Sequence, residues 1–101
     1  MPRAAMAGIE KEYEHSTRLA IAAMLSAHPG MRFSRLKERL GESDGSLGAH
    51  LRRLEDRGLI AVRKGYRGRR PVSTYELTEA GLAALGDHLT ALERVLEAAM
   101  G

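Results

Sequence analysis

The sequence contains no cysteine and no tryptophan, and its 101 residues include only three prolines and four aromatic residues (Tyr13, Phe33, Tyr66 and Tyr75). Without cysteine there is neither a disulfide framework nor a thiolate metal site, a composition that fits a reducing cytoplasm. With so few aromatics, the core has to be built from Leu, Ile, Val, Met and Ala. No run approaches the ~18 consecutive apolar residues of a membrane span, and Met1–Gly8 lacks the apolar stretch of a signal peptide. A cytoplasmic protein without membrane contact is therefore expected. Catalytic patterns are missing too. Gly45-Ser46-Leu47-Gly48 lacks the G-x-S-x-G spacing, no glycine-rich phosphate loop occurs, and the carboxylates are spread over solvent faces. This reading points away from an enzyme and implies no cofactor.

What is present is uneven positive charge. The net charge is only +3, but residues 44–72 carry eight Arg/Lys against three acids, whereas residues 73–101 carry one against five. A cationic block in an otherwise balanced chain is the electrostatic footprint of a phosphate-binding surface, with a merely solvated basic face as the plainer alternative. Length and an apolar fraction of 44% suit one domain with one modest core.

The periodicities predict a mainly α fold with a small β-hairpin. Residues 1–8 read as a flexible start. From Ile9 to about Ala27 the chain reads as a helix. Leu19, Ile21, Ala22, Ala23 and Leu25 make its second half apolar nearly all round, which predicts burial on every side and contact with a partner subunit. His28-Pro29-Gly30 ends it. After a short extended piece, Met31–Phe33, Ser34 is expected to cap a brief helix to Leu40, stopped by Gly41. Ser43 then caps a second helix to about Arg57, with Leu47, Leu51 and Leu54 as its inner stripe. Gly45, Ser46, Ala49, Arg52 and Arg53 fall on its opposite side. Two helices joined by so short a glycine-containing turn make a helix-turn-helix pattern, although a packed helix pair without further role has the same signature.

Two strand-like segments follow, Leu59–Lys64 and Val72–Leu77, around a loop at 65–71. Five of the eight residues 63–70 are cationic: Arg63, Lys64, Arg67, Arg69 and Arg70. Like charges so close repel unless an anion neutralises them, and arginines on a thin hairpin suit a narrow minor groove and its flanking phosphates. Thr78 is expected to cap the last helix. There Leu82, Leu85, Leu89, Leu92 and Leu96 form a seam with the 3.5-residue period of paired helices. Leu82 and Leu85 are expected to face the protein's own core, and Leu89, Leu92 and Leu96, with Leu19, a second copy.

Ser46-Leu47-Gly48-Ala49-His50-Leu51-Arg52-Arg53-Leu54-Glu55-Asp56-Arg57-Gly58-Leu59-Ile60 resembles the "LSxHLxxLxxxGLI" core of small bacterial regulators of the MarR and ArsR superfamily. Gly68-Arg69-Arg70-Pro71 with Tyr75-Glu76-Leu77-Thr78-Glu79-Ala80-Gly81 resembles the "GRRPxxxYxLTxxG" wing ending of its single-domain, MarR-like group. The resemblance covers residues 16–97 and implies a winged helix-turn-helix with a long C-terminal dimerisation helix. It divides the chain into a DNA-binding unit at 9–77 and a dimerisation helix at 78–101 packed on the same domain. It also implies that Ser43 to Arg53 enter a major groove and that Arg67 to Arg70 lie on the wing. Gly48 departs from the serine common in the family, and Gly45 adds a second glycine; close approach to DNA and tight packing would each account for them. Metal-sensing relatives need cysteines or paired histidines and carboxylates on the last helix. Asp87-His88 has no second histidine near the chain end, so no metal site is expected.

The expected function is thus a homodimeric, sequence-specific regulator of transcription that binds double-stranded DNA and acts as a repressor. Arg52 and Arg53 lead the candidates for base or phosphate contact. Ser46 and Ala49 would lie at the groove, with Gly45 beside them. Ser43 is first of all a cap, and His50 either meets a phosphate or packs at the helix margin. Arg32, Ser34 and Arg35, at the start of the preceding helix, would hold flanking phosphates. A winged helix used only as a protein-interaction scaffold is the alternative from another class. A regulator that also takes a small-molecule effector near the dimer interface is the third. His15, His28 and His88 carry no chemistry assignable from the sequence.

Overall fold

The computed structural model describes residues 6–101. A 3-10 turn at Lys11–Glu14 leads into α1 (Ser16–Ala27), β1 (Met31–Arg32), α2 (Phe33–Leu40), α3 (Asp44–Asp56), β2 (Ile60–Arg67), β3 (Arg70–Leu77) and α4 (Glu79–Met100). The strands form one antiparallel sheet in the order β1-β3-β2. The architecture is mainly α, a helix-turn-helix followed by a hairpin wing and a long final helix. Of the expected flexible start, residues 1–5 lie outside the described residues.

The core is aliphatic. Ile21, Leu25, Leu36, Leu47, Leu51, Leu54, Leu59 and Ile60 are all buried, with α1 lying against α2, α3, α4 and β3. The helix-turn-helix is set by local chemistry. Gly41, in the left-handed region at φ 65°, ends α2 and donates its N–H to Lys37 O. Two residues on, Ser43 Oγ accepts the Ser46 N–H at 3.1 Å and starts α3.

Several expectations need correction. The helix expected from Ile9 starts at Ser16, because His15 is extended and its imidazole Nδ1 accepts the Thr17 N–H, a helix cap in its own right. The residues before it form a separate 3-10 turn that buries Glu12 and Tyr13. α1 is not buried all round: Ala23 is exposed, and Leu19 and Met24 are half-buried. Ser34 does not cap α2. Phe33 is already helical and Arg32 is the cap without a side-chain bond, since β1 pairing (Arg32 with Thr74) carries the chain straight into the helix. The hairpin is also tighter than a seven-residue loop. Pairing runs from Ile60–Leu77 to Arg67–Arg70, so only Gly68 and Arg69 turn the chain. A φ of 63° at Gly68 alone is the signature of a type II′ turn, whose twist matches the strands.

The largest correction concerns α4. Its buried residues are Gly81, Leu85, His88 and Ala91, while Leu82, Leu89, Leu92 and Leu96 are 56%, 46%, 42% and 59% exposed. At 3.6 residues per turn the buried stripe is rotated from the leucine stripe by roughly a quarter turn, with Leu85 on their shared border. The rotation follows from close approach at Gly81. There a β-carbon would collide with Leu59 O and sit 2.8 Å from Leu59 C. Thr78 completes the joint: its N–H donates to Leu59 O (3.1 Å), and its hydroxyl donates to Gly58 O (2.7 Å) and accepts the Gly81 N–H. Small residues and a histidine therefore face the body, and Leu82 does not point inward. Beyond Ala91 no residue of α4 is buried, and the molecule is 57 Å along its longest axis.

Candidate nucleic-acid interface

α3 carries three different faces. Leu47, Leu51 and Leu54 point into the core. Gly45, Ala49 and Arg52 are exposed on the outside, and Arg52 has no acidic partner among the described residues. Between these lies a flank of Ser46, His50, Arg53 and Arg57, spaced 4, 3 and 4, in which every residue is bonded inside the protein. The Ser46 hydroxyl donates to Glu42 (2.6 Å), which Thr17 also holds (3.0 Å). The Arg18 guanidinium donates to His50 Nδ1 (3.1 Å), and the His15 ring lies 4.4 Å from the His50 ring. Arg53 Nε donates to Glu12 at 2.8 Å, and Arg57 reaches Glu10 and Glu12 at 3.6 and 3.9 Å.

This flank separates two arginines that the sequence presents as equals. Arg52 points outward, whereas Arg53 is anchored to a carboxylate 41 residues away. Glu12 is only 3% exposed and receives Arg53, Arg18 and Arg57 together. The Arg53 hydrogen bond, followed by the surrounding positive charges, holds the Glu12 carboxyl below its ordinary value against the opposing effect of burial. The Arg53 guanidinium is correspondingly raised by the same bond. Burial, then the neighbouring His15 and Arg18, lowers His50, keeping it the neutral acceptor that Arg18 needs. Of the two roles open to His50, packing at the helix margin is the one the structure displays. Ser43 serves as the cap. Asp44, at the start of α3, suits the helix dipole and pairs with Lys37 at 2.8 Å.

Gly45 and Gly48 had two explanations, and one of them is removed. Around a β-carbon built on either glycine nothing lies within 4 Å. Tight packing inside the protein does not require them.

The wing presents Lys64, Arg67, Arg69 and Arg70, all exposed and without an acidic partner among the described residues. Arg63 lies 3.5 Å from Glu76, but its side chain is 82% exposed, so the pair is weak. Tyr66, 76% exposed between these cations, was not singled out from the sequence, where it falls in the loop at 65–71. Beside the tip half of the wing a cleft of about 540 Å³ brings Arg32, Phe33 and Ser34 from the start of α2 against Arg67, Arg70 and Pro71. Arg35 is exposed one residue further along α2. The α2 N-terminus has no side-chain cap, so its free N–H groups and three arginines converge on one opening, an arrangement suited to an anion.

Sequence reasoning missed Glu12, Arg18 and Glu42, whose partners are remote in the chain, and His88. The latter is buried, accepts the Glu10 N–H on Nδ1 (3.0 Å) and stands edge-on to Tyr13. Met6, Ile9, Leu19 and Leu92, with Tyr13 and His88, line an apolar groove of about 330 Å³ beside the leucine stripe. No helix among the described residues is long and apolar enough to cross a membrane.

Comparison with solved structures places this geometry among known regulators. A transcriptional regulator homologue from Pyrococcus horikoshii OT3 is 26% identical, with 95% of this chain and 93% of that one covered and a TM-score of 0.82. The PcaV transcriptional regulator from Streptomyces coelicolor, solved with its natural ligand, is 25% identical over 89% of this chain and 62% of its own, with a TM-score of 0.73. The M. tuberculosis regulator MOSR, solved with DNA, shares the fold at 24% identity and a TM-score of 0.69, over 93% of this chain and 67% of its own. A comparison with curated protein sequences gives no match. The family model described as "Winged helix DNA-binding domain" matches residues 17–96, from the first turn of α1 to near the end of α4. With its helix-turn-helix, arginine wing and long last helix inside that span, the chain belongs to the winged helix DNA-binding domain family.

Proposed function

We propose that this protein is a cytoplasmic, sequence-specific regulator of transcription that binds double-stranded DNA as a homodimer and represses by occupying its site. The observation that carries the reading is the bare outer face of α3. Gly45 on that face and the half-buried Gly48 at its edge cost the helix up to about 1 kcal/mol each relative to alanine, and the fold has no packing use for them. A groove wall that must approach the backbone closely supplies the use. In this reading Arg52 reads a base edge from that face, with Gly45 and Ala49 at the contact. Arg32, Ser34 and Arg35 hold phosphates at the start of α2, and Lys64, Arg67, Arg69 and Arg70 on the adjoining wing hold the minor groove. Arg53 contributes by fixing α3 in place, and any contact it makes with DNA is shared with Glu12.

The exposed leucines of α4 support the homodimer. Leu89, Leu92 and Leu96, with Leu19 at the adjoining groove, form an apolar stripe that the protein's own body leaves uncovered. Pairing there would set two copies of α3 about 34 Å apart, one helical turn of DNA. The apolar groove favours one elaboration, a small apolar effector bound beside the dimer seam; the relative PcaV carries a natural ligand.

The reading is tested by selecting sites from random duplex DNA and titrating the purified protein by fluorescence anisotropy at several salt concentrations. The expected log affinity falls linearly with log salt, by about 0.9 per phosphate contacted. Arg52→Ala is expected to cost roughly 1–3 kcal/mol on the selected site. Binding indifferent to both salt and Arg52 would refute it.

A further inference from the structure

The segment Glu10–Tyr13 is bonded on two sides to two helices with different tasks. Toward α4, the Glu10 N–H donates to His88 Nδ1 (3.0 Å) and the Tyr13 hydroxyl donates to Gly81 O (2.9 Å). Toward α3, the Glu12 carboxylate receives Arg53 (2.8 Å) and Arg57 (3.9 Å), and Glu10 reaches Arg57 (3.6 Å). Arg18 at the start of α1 closes the arrangement, with Nε donating to Glu12 O at 2.7 Å. α3 and α4 themselves share almost no contact. Tyr13, fully buried against His88, and Glu12, buried under the arginines, therefore form a polar side-chain link between the helix proposed to read DNA and the helix proposed to pair the subunits, beside the packing of α1 on both.

We propose that this 3-10 segment is a strap that transmits the geometry of α4 to α3, with Glu12 as the positioning residue that sets the spacing of the two recognition helices. The inference rests on the homodimeric DNA-binding reading above and adds a specific task to it. A polar strap suits this role because its bonds are directional. A bidentate arginine–carboxylate pair fixes orientation as well as distance, which apolar packing does not. The partly exposed Arg53 and Arg57 remain solvated when the carboxylate charge is removed, and the buried Arg18, which loses that carboxylate too, keeps its bonds to the Glu12 carbonyl and to His50.

The test compares the wild type with Glu12→Gln and Tyr13→Phe on three duplexes: the selected palindrome, the same half-sites moved apart by half a helical turn (roughly 5 base pairs), and a single half-site. Sedimentation gives the oligomeric state and thermal unfolding confirms the fold. The wild type is expected to be a dimer that prefers the native spacing. Glu12→Gln is expected to reduce that preference by about tenfold, an ordinary coupling magnitude, without lowering half-site affinity. Tyr13→Phe keeps every charge and most of the burial, and is expected to move the same ratio in the same direction by less. It also carries the test if Glu12→Gln fails to fold. A dimeric wild type whose spacing preference survives in the folded variants overturns the strap alone. So does a loss of equal size on all three duplexes, which is what a merely structural role would give. A wild type that sediments as a monomer overturns the dimer and the strap with it.

Discussion

Replacing Gly48 with alanine separates the protein's needs from those of its ligand. Gly48 lies in the interior of α3, and a β-carbon there meets nothing within 4 Å. The isolated protein therefore gains helix propensity without a clash, about 1 kcal/mol. In a domain of this size that raises Tm by about 4–8 °C. Gly45 sits in the first turn, where the propensity gain is smaller, and it too has open space. On DNA the sign reverses. If α3 enters the groove with these glycines against the groove wall, each methyl group pushes the helix away from contacts worth ~1–3 kcal/mol. That is a loss of roughly 5–150-fold in Kd. Gly45→Ala, Gly48→Ala and the double variant are to be measured by differential scanning calorimetry and by anisotropy on the selected duplex. The expected pattern is greater stability with weaker binding. If Tm rises and the affinity holds, the glycines are not there for DNA, and the observation that carries the functional reading is lost.

Gly81→Ala should have the opposite effect on the fold. Its methyl group meets the Leu59 carbonyl, which cannot rotate away, so an overpacking cost of about 1–3 kcal/mol outweighs the helix gain; Gly86→Ala, with nothing nearby, is the stabilising control in the same helix. Acid should destabilise the protein in two steps. His50 is lowered from 6.5 in the folded state, so its contribution is complete above pH 6.5 and fades as pH falls below that value. Glu12 is lowered from 4.5, so its contribution is complete above pH 4.5 and is lost as pH falls through its folded value. Denaturant unfolding across this range should show the second limb missing in Glu12→Gln, and an unchanged limb would dismiss the assignment. Leu92→Glu and Leu96→Glu alter residues already 42% and 59% exposed, so the monomer should keep its fold. Sedimentation should show a weakened dimer, by roughly 1–2 kcal/mol for each copy of the leucine lost from a symmetric seam; an unaffected dimer would place the interface elsewhere.

The elements around α3 were legible because their signals are local. Ser43 caps, Gly41 stops, and three leucines at helical spacing turn inward whatever the rest of the chain does. The arginine wing was legible for the same reason, as a charge cluster between two alternating segments. Even the tighter hairpin is only a shift of strand ends toward Gly68. Arg53 was not legible. On a helical wheel it is as outward as Ser46, and its fate depends on Glu12, which belongs to a turn that the apolar pattern merges into one long helix. His15 breaks that helix by capping α1, a task its residue type does not advertise.

The leucines of α4 mark the boundary between the two kinds of knowledge. Their period was written in the sequence and correctly announced one apolar stripe on one long helix. Which stripe meets the body was decided by tertiary structure. Contact at Gly81 needs a residue without a side chain, because α4 comes up against the Leu59 backbone, and Tyr13 and Glu10 hold Gly81 and His88 on that same side. Once those small residues and the histidine are turned inward, helical geometry swings the leucines out to solvent. A periodic pattern fixes which residues share a face; only the close approach of remote backbone determines where that face points.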